Sequence, residues 1–528
     1  MKKFIYLFIA LAFVAASCSL NDQPIDTQNQ EGAIKTMTDA ANFANGMNIA
    51  LRGLASGSFI YNPDISTDYF NASMDYGNRE GGFHRWEWTA SEDVSTSLWS
   101  TAYYDINEAC FLLQGISAMD TSGLTDAEKT TLKHYQGYAY FVKAYAGFML
   151  LEYFCKPYTS TGAASDLGIM IVDTYSSAVD PAVAHLSYPG RSTLAASYNW
   201  VVSNLDNAYA CLSDVSGTVG STTLTADAVV AMQARVALAM RNWGTAATKA
   251  ASLVDAGKYP MVTSFATMNN MWSNDSGAEC IVQMYASFNP SSLPASNDPG
   301  YVSYSVGSSN TAKAPRYAPD YIPEEWFIEA FANNDLRLLW IWLDYDKEAG
   351  NSIKQGVCKF TSATGSAYLL NKFPGNPDLR TAGTTWAYSN HVNKIKLFRI
   401  AEQYLIAAEA YAMQGSSTLA SNYLSKYTQA RILGSAAVSL TGTALLARIK
   451  TERTMELVGE GFHFFDLKRW GDAMTRTGAQ NTSIISDAGT TAMEYLAKDP
   501  TDHRWLWPIP QAEIDANPQI KNQQNPGY

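Results

Sequence analysis

The sequence of 528 residues predicts a mostly α-helical protein in which paired helices form a scaffold and a loop-rich variable half holds a few short strands. Two observations carry that prediction. Long segments on either side of the middle repeat their apolar residues at three- and four-residue intervals, the spacing of one helix face. Between about 258 and 390, by contrast, Gly, Pro, Ser and Asn are dense and aromatics recur without helical period. A stretch of that length is not structureless inside a packed body, so short strands and ordered loops are expected there.

The first element is MKKFIYLFIALAFVAASC. Lys2 and Lys3 precede an apolar run from Phe4 to Val14 that is too short to span a bilayer, and Ala15, Ala16 and Ser17 follow. That layout is a secretory leader, expected over 1–17. Cys18 comes directly after the small residues and predicts lipoprotein processing, although Ala15 stands where such sites usually carry Leu. Several acyl chains on one terminus give stable anchoring. Residues 18–35 are polar and turn-rich and read as a tether to a body spanning 36–528. No later segment is apolar for long enough to cross a membrane.

Within the body, helices are expected over 38–55, 96–118, from Asp126 onward, 194–212 and 226–257, with 56–95 read as loops. The helix from Asp126 carries Leu132, Tyr135, Ala139, Val142, Tyr145 and Met149 on one face and Phe141, Phe148 and Leu151 on others, so it is expected to be buried nearly all round. Residues 226–257 read as two alanine-rich helices broken at Asn242 to Gly244, with Gly257 as a left-handed C-terminal cap. Small residues on facing sides let two helices approach closely, as in tetratricopeptide-type units, though the full consensus is absent. Helical regularity returns along Leu397, Ile400, Tyr404, Ala408 and Tyr411, and a last long helix begins near Thr443. The scaffold is thus expected over 36–257 and 391–475, the variable insertion over 258–390, and an extended tail over 476–528.

Composition narrows the function. The net charge is −12 and no Lys/Arg cluster occurs, which sets nucleic acid aside because a phosphate backbone demands a basic face. Charged residues are only 16% while aromatics reach 12%, which favours a large amphipathic ligand or partner surface. The cysteines other than Cys18 are five and widely spaced, which is no disulfide framework, and neither they nor the single histidines have metal-ligand spacing. No metal and no cofactor are expected. HExxH, GxSxG, P-loop and GxGxxG motifs are missing, so an enzyme is not expected, although isolated carboxylate pairs leave a glycosidase dyad open.

Residues 446–472 read LARIKTERTMELVGEGFHFFDLKRWGD. A guanidinium on the apolar stripe Leu446, Ile449, Arg453, Leu457, Phe464 needs carboxylates, and Glu452, Glu456, Glu460 and Asp466 are in reach. Glu452 and Glu456, four apart, would repel unless Arg453, Arg448 or Arg469 sits between them. Glu452, Arg453, Glu456, Asp466 and Arg469 are therefore expected to form a structural ion network. This string, together with FRIAEQYLIAAEAYA, WSTAYYDINEA and the tail LWPIPQAEIDANPQIKNQQNPGY, resembles the SusD/RagB family. The resemblance implies four tetratricopeptide-like helix pairs and an outer-membrane lipoprotein facing the exterior. It further implies a nutrient-capture role as lid on a SusC-like TonB-dependent porin.

Glycan recognition needs flat aromatic faces and Asn, Asp or Arg for paired hydroxyls. Two regions supply both. The first is 59–88, with Tyr76, Asn78, Arg79, Trp86 and Trp88, and the second is the variable stretch, with Trp272, Tyr301, Tyr304 and Tyr317. An oligo- or polysaccharide is the expected ligand. RagB-like peptide capture, or a lid without affinity of its own, are the alternatives.

Overall fold

The computed structural model describes residues 33–528 apart from 75, 177–187, 287–302, 305–316, 319, 341–343, 347–351, 355–366, 371, 374, 380–392, 477 and 487–493. Cys18, the leader, Tyr301 and Cys358 lie outside the described residues.

Helix starts follow the local capping chemistry. In α1 (Met37–Leu54) the Thr36 hydroxyl accepts from the Asp39 N–H and the Asp39 carboxylate accepts from the Thr36 N–H in return. The segment expected as loops instead contains α2 (Ser58–Ile65) and the single turn α3 (Gly81–His84). Pro63 lies inside α2, which is short enough to tolerate the missing N–H, and that proline concealed the helix in the sequence. Then come α4 (Asp93–Ala118) and α5 (Asp126–Phe154), the latter opened by a Thr125–Glu128 capping box. From Phe141 to Leu151 every residue of α5 is buried, with α1, α4 and α6 (Leu194–Leu212) packed around it. Two glycines allow this. A Cβ on Gly137 would lie 2.7 Å from Leu212 Cγ, and one on Gly147 would lie 2.5 Å from the Trp200 ring, so only glycine seats α6 this closely.

The alanine-rich pair is α7 (Ala226–Ala239) and α8 (Trp243–Asp255), with Asn242 accepting from the Thr245 N–H as the cap of the second helix. Gly257 has φ +63, the left-handed conformation expected there. After α9 (Phe265–Ser273), the variable stretch supplies short strands and the brief helix α10 (Glu325–Glu329). Strand β2 (Cys280–Gln283) pairs antiparallel with Lys396–Arg399, so Leu397 belongs to a strand and not to the helical stripe that follows it. Helices α11 (Ile400–Met413), α12 (Ser417–Arg431), α13 (Gly442–Glu456) and α14 (His463–Trp470) complete the scaffold, α11 packing on α8, α12 and α13. The chain is mostly helical, with its few strands short. Among the described residues no helix is long and apolar enough to cross a membrane.

The last long helix ends earlier than its sequence suggests. Gly459 and Gly461, both at positive φ, turn the chain between α13 and α14, and a Cβ on Gly461 would meet the Ile60 carbonyl oxygen at 2.9 Å. That turn splits the expected ion network into two. Arg453 and Arg469 converge on Asp466 at 2.7 and 2.8 Å, and Arg469 also pairs with Glu409. Glu456 is instead held by Arg431 at 2.8 Å and Arg399 at 2.6 Å, and Arg431 reaches Glu279 at 2.7 Å. Arg337 bridges Asp335 and Glu452, at 2.7 and 2.8 Å. The expectation that Arg453 or Arg469 separates Glu452 from Glu456 is therefore corrected: buried arginines from other elements do so, with exposed Arg448 on the far side of Glu452. Burial opposes ionisation of Glu456 and Asp466, yet the adjacent guanidiniums hold both carboxyls below their usual range.

The tail binds the body by its own polar groups. Asn525 donates to the Phe154 and Trp507 carbonyls, and Arg191 donates to the Gln523 carbonyl and Asn525 Oδ1. Trp505 and Trp507 are buried in an aromatic cluster with Phe83, Trp86, Trp88 and Phe464.

Candidate functional site

Cluster membership removes two of the expected ligand contacts. Trp86 is 1% and Trp88 4% exposed. The two indoles stack at 5.1 Å, Trp505 stands edge-on to Trp86 at 4.8 Å, and the Trp86 N–H donates to the Ser66 carbonyl at 2.6 Å. Their faces are already covered, so neither is a sugar platform. Trp272 is likewise buried, at 3% exposure, between Trp340 and Phe373, with Lys372, Lys396 and Arg399 over its ring at 4.9, 4.7 and 5.3 Å. Aromatic content alone marked these residues in the sequence, and burial separates them from the surface ones.

Tyr76, Asn78 and Arg79 do reach the surface. Strand β1 (Phe70–Ala72) pairs antiparallel with Tyr321–Pro323, and the Ser73 N–H continues the ladder to the Asp320 carbonyl at 2.8 Å. The chain then turns through Gly77, Asn78 and Glu80 at φ 59, 59 and 53, and Trp86 follows at φ 61. Asn tolerates the left-handed region, but Glu and Trp are strained in it, and strain of this kind persists only where the surroundings impose it. Here they do. The Arg79 guanidinium grips Asp320 through Nε at 2.7 Å and through Nη2, while the Tyr321 hydroxyl donates to the Arg79 carbonyl at 2.6 Å. Arg85 donates to the Tyr76 hydroxyl at 3.0 Å and to Asn78 Oδ1 at 2.8 Å, and is itself held by Glu87 at 2.8 and 3.0 Å.

The result is a fixed polar rim on a strained loop. Arg79 is 56% exposed although its carboxylate partner is 4% exposed, so the guanidinium is oriented from below and presented outward. Half-buried Tyr76 adds a ring beside it, edge-on to Tyr321 at 6.1 Å. Such a planar donor fork beside an aromatic edge suits paired hydroxyls over a C–H face.

The same strand pairing joins the two regions marked in the sequence. Tyr304 and Tyr317 are register partners in the short pair Ser303–Tyr304 with Tyr317–Ala318, and Tyr317 precedes Asp320 by three residues. Asp320, Arg85 and Glu87 were missed. Asp320 lies 241 residues from Arg79, a separation with no local signal, whereas the alternating charges of NREGGFHRWE pointed toward Arg85 and Glu87. Among the described residues, no group of three or more His, Cys, Asp or Glu is arranged to hold a metal.

Known proteins resemble this chain along its length. A profile of the SusD family matches residues 259–528, and one described as starch-binding, associating with outer membrane, matches residues 23–238. A SusD superfamily protein from Bacteroides thetaiotaomicron superposes with a TM-score of 0.72 at 26% identity, over 93% of this chain and 100% of that one. A SusD-like carbohydrate binding protein from Bacteroides vulgatus (TM-score 0.68, 18% identity, 92% and 97% covered) has the same fold. So does the surface glycan-binding protein A of Bacteroides fluxus (TM-score 0.66, 17% identity, 94% and 100% covered). No curated protein sequence matches significantly. The family profile covers more than half of the chain and the fold agrees over nearly all of it: the chain belongs to the SusD family.

Proposed function

We propose that this protein is a lipid-anchored, surface-exposed glycan-binding protein that captures oligo- or polysaccharide and passes it to a SusC-like TonB-dependent outer-membrane importer, without turning it over. The observation that carries the reading is the rim of Tyr76, Asn78, Arg79 and Asp320 on its strained loop, in a chain whose family profile is described as starch-binding and associated with the outer membrane. The names of relatives with the same fold, carbohydrate-binding and glycan-binding, point the same way. The leader and Cys18 support the anchor, and the polar tether after Cys18 supports a body held off the membrane. Modest affinity is expected at such a site, because a solvated sugar leaves little apolar area to bury.

The test is retention of the purified protein on immobilised polysaccharides, with product analysis of the soluble phase. Retention without released sugar, weakened by Arg79→Ala, is the expected result. Retention by peptides alone moves the protein to the RagB-like reading, and release of shortened glycan refutes the non-catalytic one.

A further inference from the structure

A second cleft lies between α4, α5 and α6, and none of its lining residues belongs to the rim. Its volume is about 770 Å³, within the roughly 300–1,000 Å³ usual for small-molecule sites. The two cavities beside the ion network, about 80 and 40 Å³, are far smaller.

A buried lysine forms its base. Lys143 on α5 is 3% exposed and donates to Asp173 Oδ1 at 3.1 Å, with its ammonium 5.4 Å from the Trp200 ring centroid. The Trp200 N–H donates to the same oxygen at 2.7 Å. One carboxylate oxygen is thus committed twice, while the Asp173 side chain as a whole is 62% exposed. Burying an ammonium is costly, and Asp173 offsets that cost through one oxygen. Two donors orient an exposed carboxylate that lines the cleft.

The wall that carries Asp173 is fixed. Met170 N–H donates to the Tyr103 hydroxyl at 2.9 Å, and Asn107 exchanges hydrogen bonds with Ser176 at 3.0 and 3.2 Å, so the segment is laced to α4 on both sides of Asp173. Half-buried Tyr140 and Tyr175 supply aromatic walls, and exposed Asn207 supplies an amide at the rim.

We infer that this cleft binds a short neutral oligosaccharide. Aromatic walls with an oriented carboxylate and an amide are the groups that recognise a C–H face and its hydroxyls. Lys143 and Asp173 cancel each other, so the base offers no net charge to an acidic ligand. Extended peptides dock by adding to a strand edge, and the lining residues, on three helices and an irregular segment, include no strand. The inference shares the glycan ligand class with the reading above but places it at a different site.

Hydrogen exchange of the purified full-length protein, with and without millimolar maltohexaose, xylohexaose or mannohexaose, tests it. At least one hexasaccharide should slow exchange in 170–176. Ser203→Trp, which fills the cleft from an exposed lining position, should abolish that protection, and Asp173→Asn should weaken binding roughly tenfold, the scale of one charge-assisted hydrogen bond. Arg79→Ala should leave protection at 170–176 intact. Unchanged melting certifies the folding of Ser203→Trp, and a single cooperative transition certifies that of Asp173→Asn, which should melt lower because Lys143 loses its counterion. Protection confined to 76–87 overturns the inference and leaves the proposed function standing. Protection at 170–176 by a tryptic peptide mixture alone overturns the ligand class. Absence of protection by any hexasaccharide at either site counts against both.

Discussion

Replacing Glu456 by Gln changes one atom type in a carboxylate that accepts four hydrogen bonds in the buried ion network. Glu456 is fully buried and accepts from Arg431 through both oxygens, at 2.9 and 2.8 Å, from Arg399 at 2.6 Å, and from the Tyr427 hydroxyl at 2.7 Å. The surrounding cluster balances five cations (Arg337, Arg399, Arg431, Lys372, Arg448) against five carboxylates (Glu279, Asp335, Glu452, Glu456, Glu460). Gln keeps the volume but removes one negative charge and sets an NH₂ against arginine donors. Breaking a buried pair in this way costs about 3–5 kcal/mol. At ~2.1 cal/mol/K per residue the unfolding entropy of a chain this long is about 1 kcal/mol/K, so the melting temperature should fall by about 3–5 °C. Differential scanning calorimetry at pH 7 reads that shift directly. The pH dependence supplies a second check. The Glu456 carboxyl is held well below its ordinary range in the folded protein, burial opposing and Arg431 and Arg399 prevailing. Its contribution is therefore complete above the unfolded value of about 4.3 and is lost as pH falls toward the folded one, so the gap between wild type and Glu456→Gln should narrow below about pH 4. A variant melting within about 1 °C of wild type at pH 7 would refute the claim that this network holds α12, α13 and the variable stretch together.

The remaining predictions test burial against exposure. Trp86→Phe should lower the melting temperature while the folded fraction keeps its glycan affinity within about twofold, since the ring is core; a selective loss of binding would restore Trp86 as a contact. Arg79→Ala removes the bidentate partner of the buried Asp320 carboxylate and should cost about 1–3 kcal/mol of stability, while weakening glycan retention by the folded fraction about tenfold. Asp64 is buried and its carboxyl is pushed up to about 7, burial being the main cause. The folded state then keeps a proton that the unfolded chain releases near ~3.9, so stability declines as pH rises from about 4 to about 7. Asp64→Asn should accordingly raise the melting temperature more at pH 8 than at pH 4.5, and an equal shift at both would contradict the titration.

The long scaffold helices were legible in the sequence because their starts rest on local chemistry, whereas the short α2 and α3 and the break between α13 and α14 were not. Thr125 with Glu128, Asn242 before Thr245, and Gly257 after α8 act within one turn of chain, so their meaning is readable without a fold. The family was legible for a related reason: its scaffold strings, such as ERTMELVGEGFHFFDLKRW, are contiguous. What the sequence left open is decided over long separations. Trp86, Trp88 and Trp272 look like Tyr76 by composition, and only the tail's Trp505 and Trp507 and the cations around Trp272 determine which rings are covered. Arg79 acquires its orientation from Asp320, Glu456 its charge balance from Arg399 and Arg431, and Lys143 its place beside Asp173 through the packing of α6 on Gly147. Residue types and their local spacing determine where helices begin and end. Which side chains meet across them is set by burial and close packing, which only the folded chain fixes.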